Sequence, residues 1–541
     1  MGSNQTRTRA LLIGLIALGA GLRIWQYAAD TSFWFDELSI ARNLGERSLI
    51  ELLRSPLSYD QMAPVGFLGL EKITLLVLGS SDLALRLPVF LVGVAALALF
   101  WRTSVRALDG VAVPIAVGLF AIGIPFIRYS TELKHYGLEI ASAILLTGLA
   151  LDLRAPGGTT RRCVTAGLAG FVAVWFSQAA ILVLAGLGAG LTLCWALRRD
   201  PALRRAVMIT VPIWAVSSAC GFASALLHSN PSTVAFMHVF WGVRNGYPPV
   251  PFSLRGDALW LWTVLNQFFS DISLLRYPLG ACFTALALLG FGILWRQRRE
   301  VAILLLGPMA VTLAASITHQ FPFRFRLVLV LLPAMVIALA AAIAWIGAQA
   351  ARAHRAIGAA VVLALLIPPA LAIAAVPPPI VVEAFKPVLA HVRAHLQAGD
   401  AVYVYANTYQ AVDRYGPGFG LPPGSYVSGI CDQRDVRPYL ADVDRFRGAA
   451  RLWVIGSSVP GFRHPRNEIA RYLQTIGVRR DSIRLAPSPI TRLDPVSAEL
   501  YDLSDPARLR SAALESFATA PFPNQQRPLC RDWIRPAGPA R

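Results

Sequence analysis

The 541-residue sequence is poor in charged residues and in cysteine. Only 15% of its residues are charged and 55% are hydrophobic, with a mean hydropathy of +0.53, whereas soluble globular chains carry about 25% charged residues. This composition excludes an ordinary soluble protein and indicates a membrane protein. The six cysteines include no CxxC pair and no cysteine–histidine cluster, which argues against a zinc-binding domain.

Long apolar segments recur from the N-terminus to about Val376. Each is about 20 residues long, which is enough to span a bilayer. No A-x-A-like cleavage site with a soluble continuation follows the first segment, so we expect it to be retained as a helix. A tight turn at 175–178 is expected to separate the fifth and sixth spans. The eleven predicted spans lie near 10–29, 86–101, 111–127, 137–153, 162–176, 178–197, 206–227, 277–295, 301–318, 326–347 and 355–376.

The net charge of +19 could suggest a nucleic-acid partner, but the distribution of the arginines argues against it. If the N-terminus is cytoplasmic, every predicted inside loop is basic, which is the positive-inside pattern of membrane proteins. We therefore predict no nucleic-acid partner. With eleven spans and a cytoplasmic N-terminus, the C-terminal region is expected to be extracytoplasmic. The alanine- and arginine-rich composition and the compact loops fit a bacterial plasma membrane protein. The loop arginines include Arg7, Arg9, Arg102, Arg106, Arg198, Arg199, Arg296 and Arg298.

The sequence predicts a polytopic α-helical membrane domain followed by a small α/β domain. The membrane domain covers 1–376, with long external loops at 30–85 and 228–276, and three prolines at 377–379 begin the domain 377–541. In that domain we predict helices at 385–399 and 467–477 and strands at 400–412 and 450–458. It has no glycine-rich phosphate-binding loop and no recognisable nucleophile motif.

Both long external loops are predicted to contain helices that lie along the membrane surface. Ser48 and Glu51 have capping-box spacing at the start of one such helix. Pro64 begins a second, in which Glu71 and Lys72 argue against a simple span. In the other loop, Asp257 is expected to cap a helix rich in aromatic residues, which concentrate at the headgroup boundary.

The cysteines fall into two groups. Four lie in or beside the apolar segments, where they are expected to be small buried hydrophobic residues. Cys431 and Cys530 are the two cysteines of the C-terminal domain, and we predict that they form a disulfide in an oxidising compartment.

An acid pair, Asp36–Glu37, follows the first span in the segment SFWFDELSIARN. One interpretation is a helix cap at the lipid interface. The other is a general base, which needs an ionised carboxylate within hydrogen-bonding reach of an attacking hydroxyl. The two side chains point in different directions on a helix, so they need not share one role.

Two further external segments concentrate polar groups. The first, RYSTELKHYG, places Arg128, Glu132, Lys134 and Tyr136 in a short connection. These residues could be headgroup anchors or a cluster that binds phosphate and hydroxyl groups, with Glu132 able to orient a cation or a sugar hydroxyl.

The second segment, HQFPFRFRLVLVLLPA, places Arg324 and Arg326 at the outer boundary, near His319, against the positive-inside trend. Arginine suits phosphate oxygens, although it also snorkels to generic headgroups. Arg86, at the outer start of the second span, is a third candidate phosphate ligand.

Residues 10–345 resemble the GT-C superfamily of polytopic glycosyltransferases. They are similar to its bacterial protein O-mannosyltransferases, aminoarabinose lipid A transferases and rhizobial lipopolysaccharide-core transferases. The resemblance is carried by WFDE, by APVGFLGLEKITLLVLGSSDLALRLPVFLVG, by ELKHYGLEIA and by RLVLVLLPA, in that order. APVG stands where the family commonly has PPLY, and FRFR stands where it has RY.

The resemblance implies an inverting hexosyl- or pentosyltransferase with a polyprenyl-phosphate-linked sugar donor and an external active site. It implies that Asp36 either acts as the base on the acceptor or organises the reaction centre, with the role of base preferred, that Glu37 is the second acid, and that Lys134 and Tyr136 match a basic-x-Tyr element. Arg326 matches the family arginine, with Arg324 as a competing register. The acceptor would be an envelope glycan, a lipid or a protein. The residues identify no cofactor. Metal dependence varies across the superfamily, so a divalent metal ion is compatible with the resemblance and is not decided by it.

Two other functions remain open from the sequence. A transporter or flippase of lipid-linked saccharides would also need many spans and external cations, but it should show charged groups inside spans or an inverted repeat. A non-catalytic scaffold with an exported binding domain would explain the C-terminal region but would leave the polar loop clusters without a role.

Overall fold

The computed structural model describes residues 2–154, 159–431, 436–457, 466–489 and 494–509. The chain divides into two compact units. The first unit comprises Met1–Asp30 and Asn43–Pro379, and the second comprises Thr31–Arg42 and Ile380–Arg541. The segment that carries the acid pair is therefore grouped with the C-terminal region.

The first unit is built from long apolar helices. The division between the two units falls between Arg42 and Asn43, inside the second helix of the chain. A 3-10 helix, Phe325–Leu331, directly precedes the sixteenth helix. The helices are α1 Gly2–Ala28, α2 Phe35–Glu46, α3 Leu49–Arg54, α4 Val65–Leu78, α5 Asp82–Ala107, α6 Ala112–Ile122, α7 Ile124–Arg128, α8 Tyr136–Leu153, α9 Thr160–Phe176, α10 Ala180–Arg198, α11 Pro201–Leu227, α12 Pro231–Gly242, α13 Leu254–Ser270, α14 Leu279–Gln297, α15 Arg299–Ile317, α16 Leu332–Ala350 and α17 Arg355–Ala375.

Ten of the eleven predicted spans each coincide with one continuous helical segment, whereas the third, 111–127, is divided at Gly123 between α6 and α7. Within the described part of the chain, nine helical segments are long and apolar enough to cross a membrane. The other two predicted spans correspond to α6 and α7, with 11 and 5 residues, and to α9, with 17 residues. Helix α9 ends at Phe176 and α10 begins at Ala180, so the tight turn predicted between the fifth and sixth spans is confirmed.

The helices predicted in the external loops are present, but one cap was assigned to the wrong residue. Ser48 and Glu51 form the predicted capping box at the start of α3. Helix α13 is capped by Ser253, whose hydroxyl accepts the Gly256 amide at 3.1 Å. Asp257 instead accepts the Ser253 amide at 2.8 Å. Helix α12 was not predicted.

Helices α14 and α16 pack closely at Gly290. A Cβ atom built at this position would lie 1.8 Å from the carbonyl oxygen of Ala338, a backbone atom that cannot rotate away. We expect Gly290→Ala to lower the free energy of unfolding by about 1–3 kcal/mol, the usual cost of overpacking. Thermal unfolding in detergent measures it. Gly292→Ala on the same helix is the control, since no atom lies within 4 Å of a Cβ atom built there; equal melting temperatures for the two variants would contradict the prediction.

The second unit contains a five-stranded mixed sheet in the order β2-β1-β3-β5-β4. Strand β1 pairs in parallel with β2 and β3, whereas β5 pairs antiparallel with β3 and β4. Two 3-10 helices, Ala406–Thr408 and Gly416–Phe419, flank α19 of this unit. The elements are α18 Phe385–His395, β1 Ala401–Val404, α19 Tyr409–Tyr415, β2 Val427–Ser428, α20 Arg437–Asp444, β3 Leu452–Gly456, α21 Arg466–Ile476, β4 Val478–Leu485, β5 Val496–Asp502 and α22 Pro506–Leu509.

The α/β class predicted for the C-terminal region is confirmed, with corrections to its elements. Strand β3 is buried along its whole length, which explains its unbroken apolar sequence. The predicted strand at 400–412 is a strand only over Ala401–Val404 and then becomes helical. The predicted helix ends at His395 rather than at Gly399. Strand β4 was missed because half of the residues in its sequence, VRRDSIRL, are charged, as an edge strand of the sheet allows.

The four cysteines assigned to the apolar segments are free thiols, and two of them, Cys163 and Cys194, are buried as expected. Cys220 is partly exposed and Cys282 is exposed, so the expected burial is wrong for Cys282. Cys530 lies outside the described residues, so its pairing with Cys431 stays a prediction.

Candidate functional site

In the first unit, a short segment between α7 and α8 holds a buried lysine. The Lys134 ammonium group donates a hydrogen bond to Gln61 Oε1 at 2.6 Å. Close packing positions this segment, because a Cβ at Gly93 of α5 would lie 2.3 Å from the Ser130 side chain. A glycine at this point of α5 therefore lets the lysine-bearing segment approach the helix.

Arg326 lies over two aromatic rings of the same unit. Its guanidinium carbon is 5.7 Å from the centre of the Tyr136 ring and 6.0 Å from that of Trp241. The chain before it is held by Gln267, whose Oε1 accepts the Phe325 amide at 2.7 Å and whose amide group donates to the Phe323 carbonyl at 3.2 Å. The backbone that carries Arg326 is thus held by Gln267 of α13, although α14 and α15 lie between this helix and Arg326 in the chain.

The electrostatics indicate that these cations lie near one another. Burial, together with the positive charges of Lys134 and Arg326, holds the pKa of His135 well below its usual range. Burial and the charge of Arg326 also lower the pKa of Arg244. A neutral imidazole beside clustered cations is the arrangement expected of a site that favours an anion.

Other predicted site residues of the first unit make separate contacts. Arg128 lies 3.3 Å from the Glu132 carboxylate, and Arg324 lies 3.6 Å from the Asp271 carboxylate. The His319 ring stacks on Tyr247 with a centroid distance of 4.9 Å, and Arg86 is buried in α5.

Three residues that surround Lys134 and Arg326 were not predicted as site residues from the sequence. They are Gln61, Trp241 and Arg244. Trp241 lies near the end of α12 and Arg244 just beyond it, in a stretch for which no helix was predicted. The apolar helical pattern in PSTVAFMHVFWG is the signal that could have revealed Trp241 and Arg244, whereas nothing in the sequence around Gln61 indicates its contact with Lys134.

In the second unit, the two adjacent acids have different surroundings. Glu37 Oε2 accepts the Trp34 amide at 3.3 Å, just before the first turn of α2, so Glu37 caps this helix. Asp36 is also buried, on the first turn of the same helix. The capping interpretation therefore describes Glu37.

The acid-bearing segment is held by side chains of the C-terminal region. Its Phe33 amide donates to the Tyr415 hydroxyl at 2.7 Å, and its Phe35 amide donates to Glu383 Oε2 at 2.8 Å. The Ser39 hydroxyl donates to Gln410 Oε1 at 3.2 Å. These bonds fix the backbone on both sides of Asp36.

Glu383 is the titratable member of this set. Burial raises its pKa to about 7, and the negative charge of Asp36 acts in the same direction, while the Phe35 amide opposes them. Because the pKa is raised on folding, the stability that this group contributes is present at low pH and is lost as the pH rises through about 7.

We expect Glu383→Gln to change the pH profile of activity more than its maximum. The amide oxygen of glutamine still accepts the Phe35 N–H, but glutamine cannot ionise, so the variant lacks the negative charge that Glu383 acquires beside Asp36 in the wild type. The wild-type kcat/KM should therefore rise through about pH 7, and this limb should be absent from the variant. A pH series of initial rates measures it.

Two variants control this experiment. Glu383→Ala removes the acceptor and leaves a buried N–H unpaired, so it should lower kcat by about 10-fold. Gln410→Ala removes a hydrogen bond to the same segment without removing a titratable group and should leave the pH profile unchanged. An inflection near pH 7 that persists in Glu383→Gln would show that another group titrates.

Metal-donor side chains of the described residues converge in one group. His391, His395 and Asp481 offer donor atoms that all lie within 4.8 Å of one another.

No protein-family model and no curated protein sequence matches this chain. Solved structures do match. The structure of the Archaeoglobus fulgidus oligosaccharyltransferase in complex with Zn and sulfate has a TM-score of 0.50 at 13% identity, over 90% of this chain and 72% of that one. This chain has the GT-C fold. The predicted fold is therefore confirmed.

Another similar structure with the GT-C fold is ArnT from Cupriavidus metallidurans bound to undecaprenyl phosphate. It has a TM-score of 0.46 at 12% identity, over 91% of this chain and 98% of that one. The A. fulgidus oligosaccharyltransferase AglB has also been solved with an inhibitory peptide and a dolichol-phosphate, with a TM-score of 0.49 at 12% identity, over 91% and 74% of the two chains.

Proposed function

We propose that this chain is an inverting glycosyltransferase that moves a sugar from a polyprenyl-phosphate donor to an acceptor. The reaction would take place at the extracytoplasmic face of a bacterial plasma membrane, with a cytoplasmic N-terminus. Residues 1–376 would form the catalytic membrane domain. Residues 377–541 would form an extracytoplasmic domain that contains a disulfide between Cys431 and Cys530. The acceptor would be an envelope glycan, a lipid or a protein.

One observation carries this proposal. It is the grouping of Lys134 and Arg326 about His135 and Tyr136, in a chain with the GT-C fold. Cations desolvated by protein and aromatic rings bind phosphate oxygens more strongly than cations in water. A lipid-linked phosphate is an anion of the right chemistry and would lie at the depth of these helix ends.

The chemistry divides between two sets of residues. Substitution at an anomeric carbon develops negative charge on the departing phosphate, which Arg326 and Lys134 would stabilise. Asp36 would take the proton of the acceptor hydroxyl. The phosphate is a good leaving group, so no acid is needed to protonate it. Glu37 would support Asp36 by capping its helix.

The remaining predicted residues receive secondary roles. Arg128, Arg324 and Arg86 are candidate phosphate ligands, and Tyr136, Glu132 and His319 are candidate contacts to the sugar or acceptor. Arg326 is preferred over Arg324 because it lies over the Tyr136 ring, whereas Arg324 pairs with Asp271.

The test is a transfer assay in proteoliposomes that contain undecaprenyl-phosphate-linked sugars. We expect release of undecaprenyl phosphate and a product with inverted anomeric configuration. Movement of intact donor across the bilayer without cleavage would instead indicate a transporter. If the donor is neither cleaved nor moved across the bilayer, for every donor sugar supplied and with membrane extracts as acceptor, the protein would be a scaffold. Glycan profiling of a deletion strain would identify the acceptor.

A further inference from the structure

A side-chain group in the second unit has the chemistry of a metal site and no part in the proposed reaction. His391 and His395 are four residues apart on α18, which places them on one face of the helix. Their rings are 4.4 Å apart between centroids. Asp481 of β4 completes the group, because His391 Nε2 lies 2.8 Å from Asp481 Oδ2.

The backbone orients two of the donors from the far side. His395 Nδ1 lies 2.9 Å from the His391 carbonyl oxygen, to which it donates, so Nε2 keeps its lone pair as the ligand atom. Asp481 Oδ1 accepts the Ser482 amide at 2.7 Å, which leaves Oδ2 facing His391. Hydrogen bonds of this kind fix the tautomer and orientation of metal ligands.

The strand carries an irregularity at the carboxylate. The pairing of β4 with β5 shifts register between Arg479 and Asp481. A bulge re-aims the side chains that follow it, and bulges are common at sheet edges. Strand β4 is the edge strand of the sheet, and α18 packs against it. The bulge therefore decides that Asp481 faces the two histidines.

The neighbouring arginines do not oppose a cation at full strength. Arg479 lies 3.9 Å from the Glu499 carboxylate, and Arg480 lies 2.8 Å from that of Asp502. Each positive charge that precedes Asp481 along the strand is thus paired with an acid on β5.

We propose that His391, His395 and Asp481 bind a divalent transition-metal ion such as Zn²⁺. Two imidazoles and a carboxylate are preferred zinc ligands, and water can complete the coordination. Ligands of a tetrahedral zinc ion are about 3.3 Å apart at ordinary bond lengths. The 2.8 Å between His391 Nε2 and Asp481 Oδ2 would open slightly as the ion replaces the proton between them.

The experiment is a titration of the full-length, metal-stripped protein in detergent with Zn²⁺ by calorimetry, and with Co²⁺ by visible absorption. We expect one equivalent of Zn²⁺ to bind with a micromolar Kd, and His395→Ala to weaken it at least 10-fold. Asp481→Asn, which preserves shape, should also weaken it and should alter the Co²⁺ spectrum.

Arg393→Ala is the matched control on the same helix, since the Arg393 side chain donates to the Gly418 carbonyl oxygen. It should bind Zn²⁺ like the wild type. Melting temperatures without metal establish that the variants are folded, and Asp481→Asn serves if His395→Ala is not. The proposal is overturned if His395→Ala and Asp481→Asn bind Zn²⁺ as the wild type does. It is also overturned if Zn²⁺ binding is lost only in Asp36→Asn, which changes the proposed catalytic base and not the histidine–aspartate group.

Discussion

Replacing Asp36 by asparagine is expected to lower the rate of sugar transfer by about 10³-fold, within the range that general bases contribute. Asparagine has nearly the same shape, so α2 and the hydrogen bonds around it should persist, but the amide cannot take a proton from the acceptor. The measurement is kcat in proteoliposomes with saturating donor, with the melting temperature as a check on folding.

Glu37→Gln is the matched control for Asp36→Asn. The glutamine side chain can still accept the Trp34 amide that Glu37 accepts at 3.3 Å, so the helix cap is retained. We expect kcat to fall by at most about 10-fold, because an uncharged carboxamide oxygen can accept the capping hydrogen bond that the carboxylate accepts. Near-normal turnover in Asp36→Asn would remove Asp36 from the mechanism, whatever the behaviour of Glu37.

Replacing Arg326 by alanine is expected to lower kcat/KM for the donor by about 10²-fold, as loss of one charge-stabilising group commonly does. The guanidinium that lies over Tyr136 and Trp241 would be lost. The KM for the acceptor should change little, because the arginine is proposed to contact only the phosphate. Arg326→Lys should recover part of the activity, since lysine keeps the charge but not the planar donors.

Arg324→Ala separates the two registers of the arginine motif. Arg324 lies 3.6 Å from Asp271, so its loss should affect stability more than donor use. Unchanged donor kinetics in Arg326→Ala would count against phosphate binding there. A larger donor defect in Arg324→Ala would move the phosphate site to that residue.

The membrane helices could be predicted closely because their signal is local. Twenty or so consecutive apolar residues must satisfy their backbone hydrogen bonds within one segment when no water is available. The turn between α9 and α10 was found in the same way, from four residues between two apolar runs. The cap of α13 was misassigned because Ser253 and Asp257 both suit a cap, and only the helix start decides between them.

The surroundings of Asp36 could not be predicted. The Phe35 amide and Glu383 are 348 residues apart in the chain, and a hydrogen bond over that distance leaves no periodic pattern in either segment. The sequence therefore assigned the acid pair to the membrane domain by proximity along the chain, whereas the structure groups Thr31–Arg42 with the C-terminal region.

By itself, the sequence determined the helical membrane class, the α/β character of the C-terminal region and the order of the polar motifs. These follow from hydrophobicity, charge and spacing within short windows. Only the tertiary structure decided that Arg326 lies over Tyr136, that Glu383 accepts the backbone amide beside Asp36, and that two histidines meet Asp481. Each of these contacts joins segments that are far apart in the sequence. Such a contact depends on how both segments pack in the folded protein, so the residue pattern of either segment alone does not predict it.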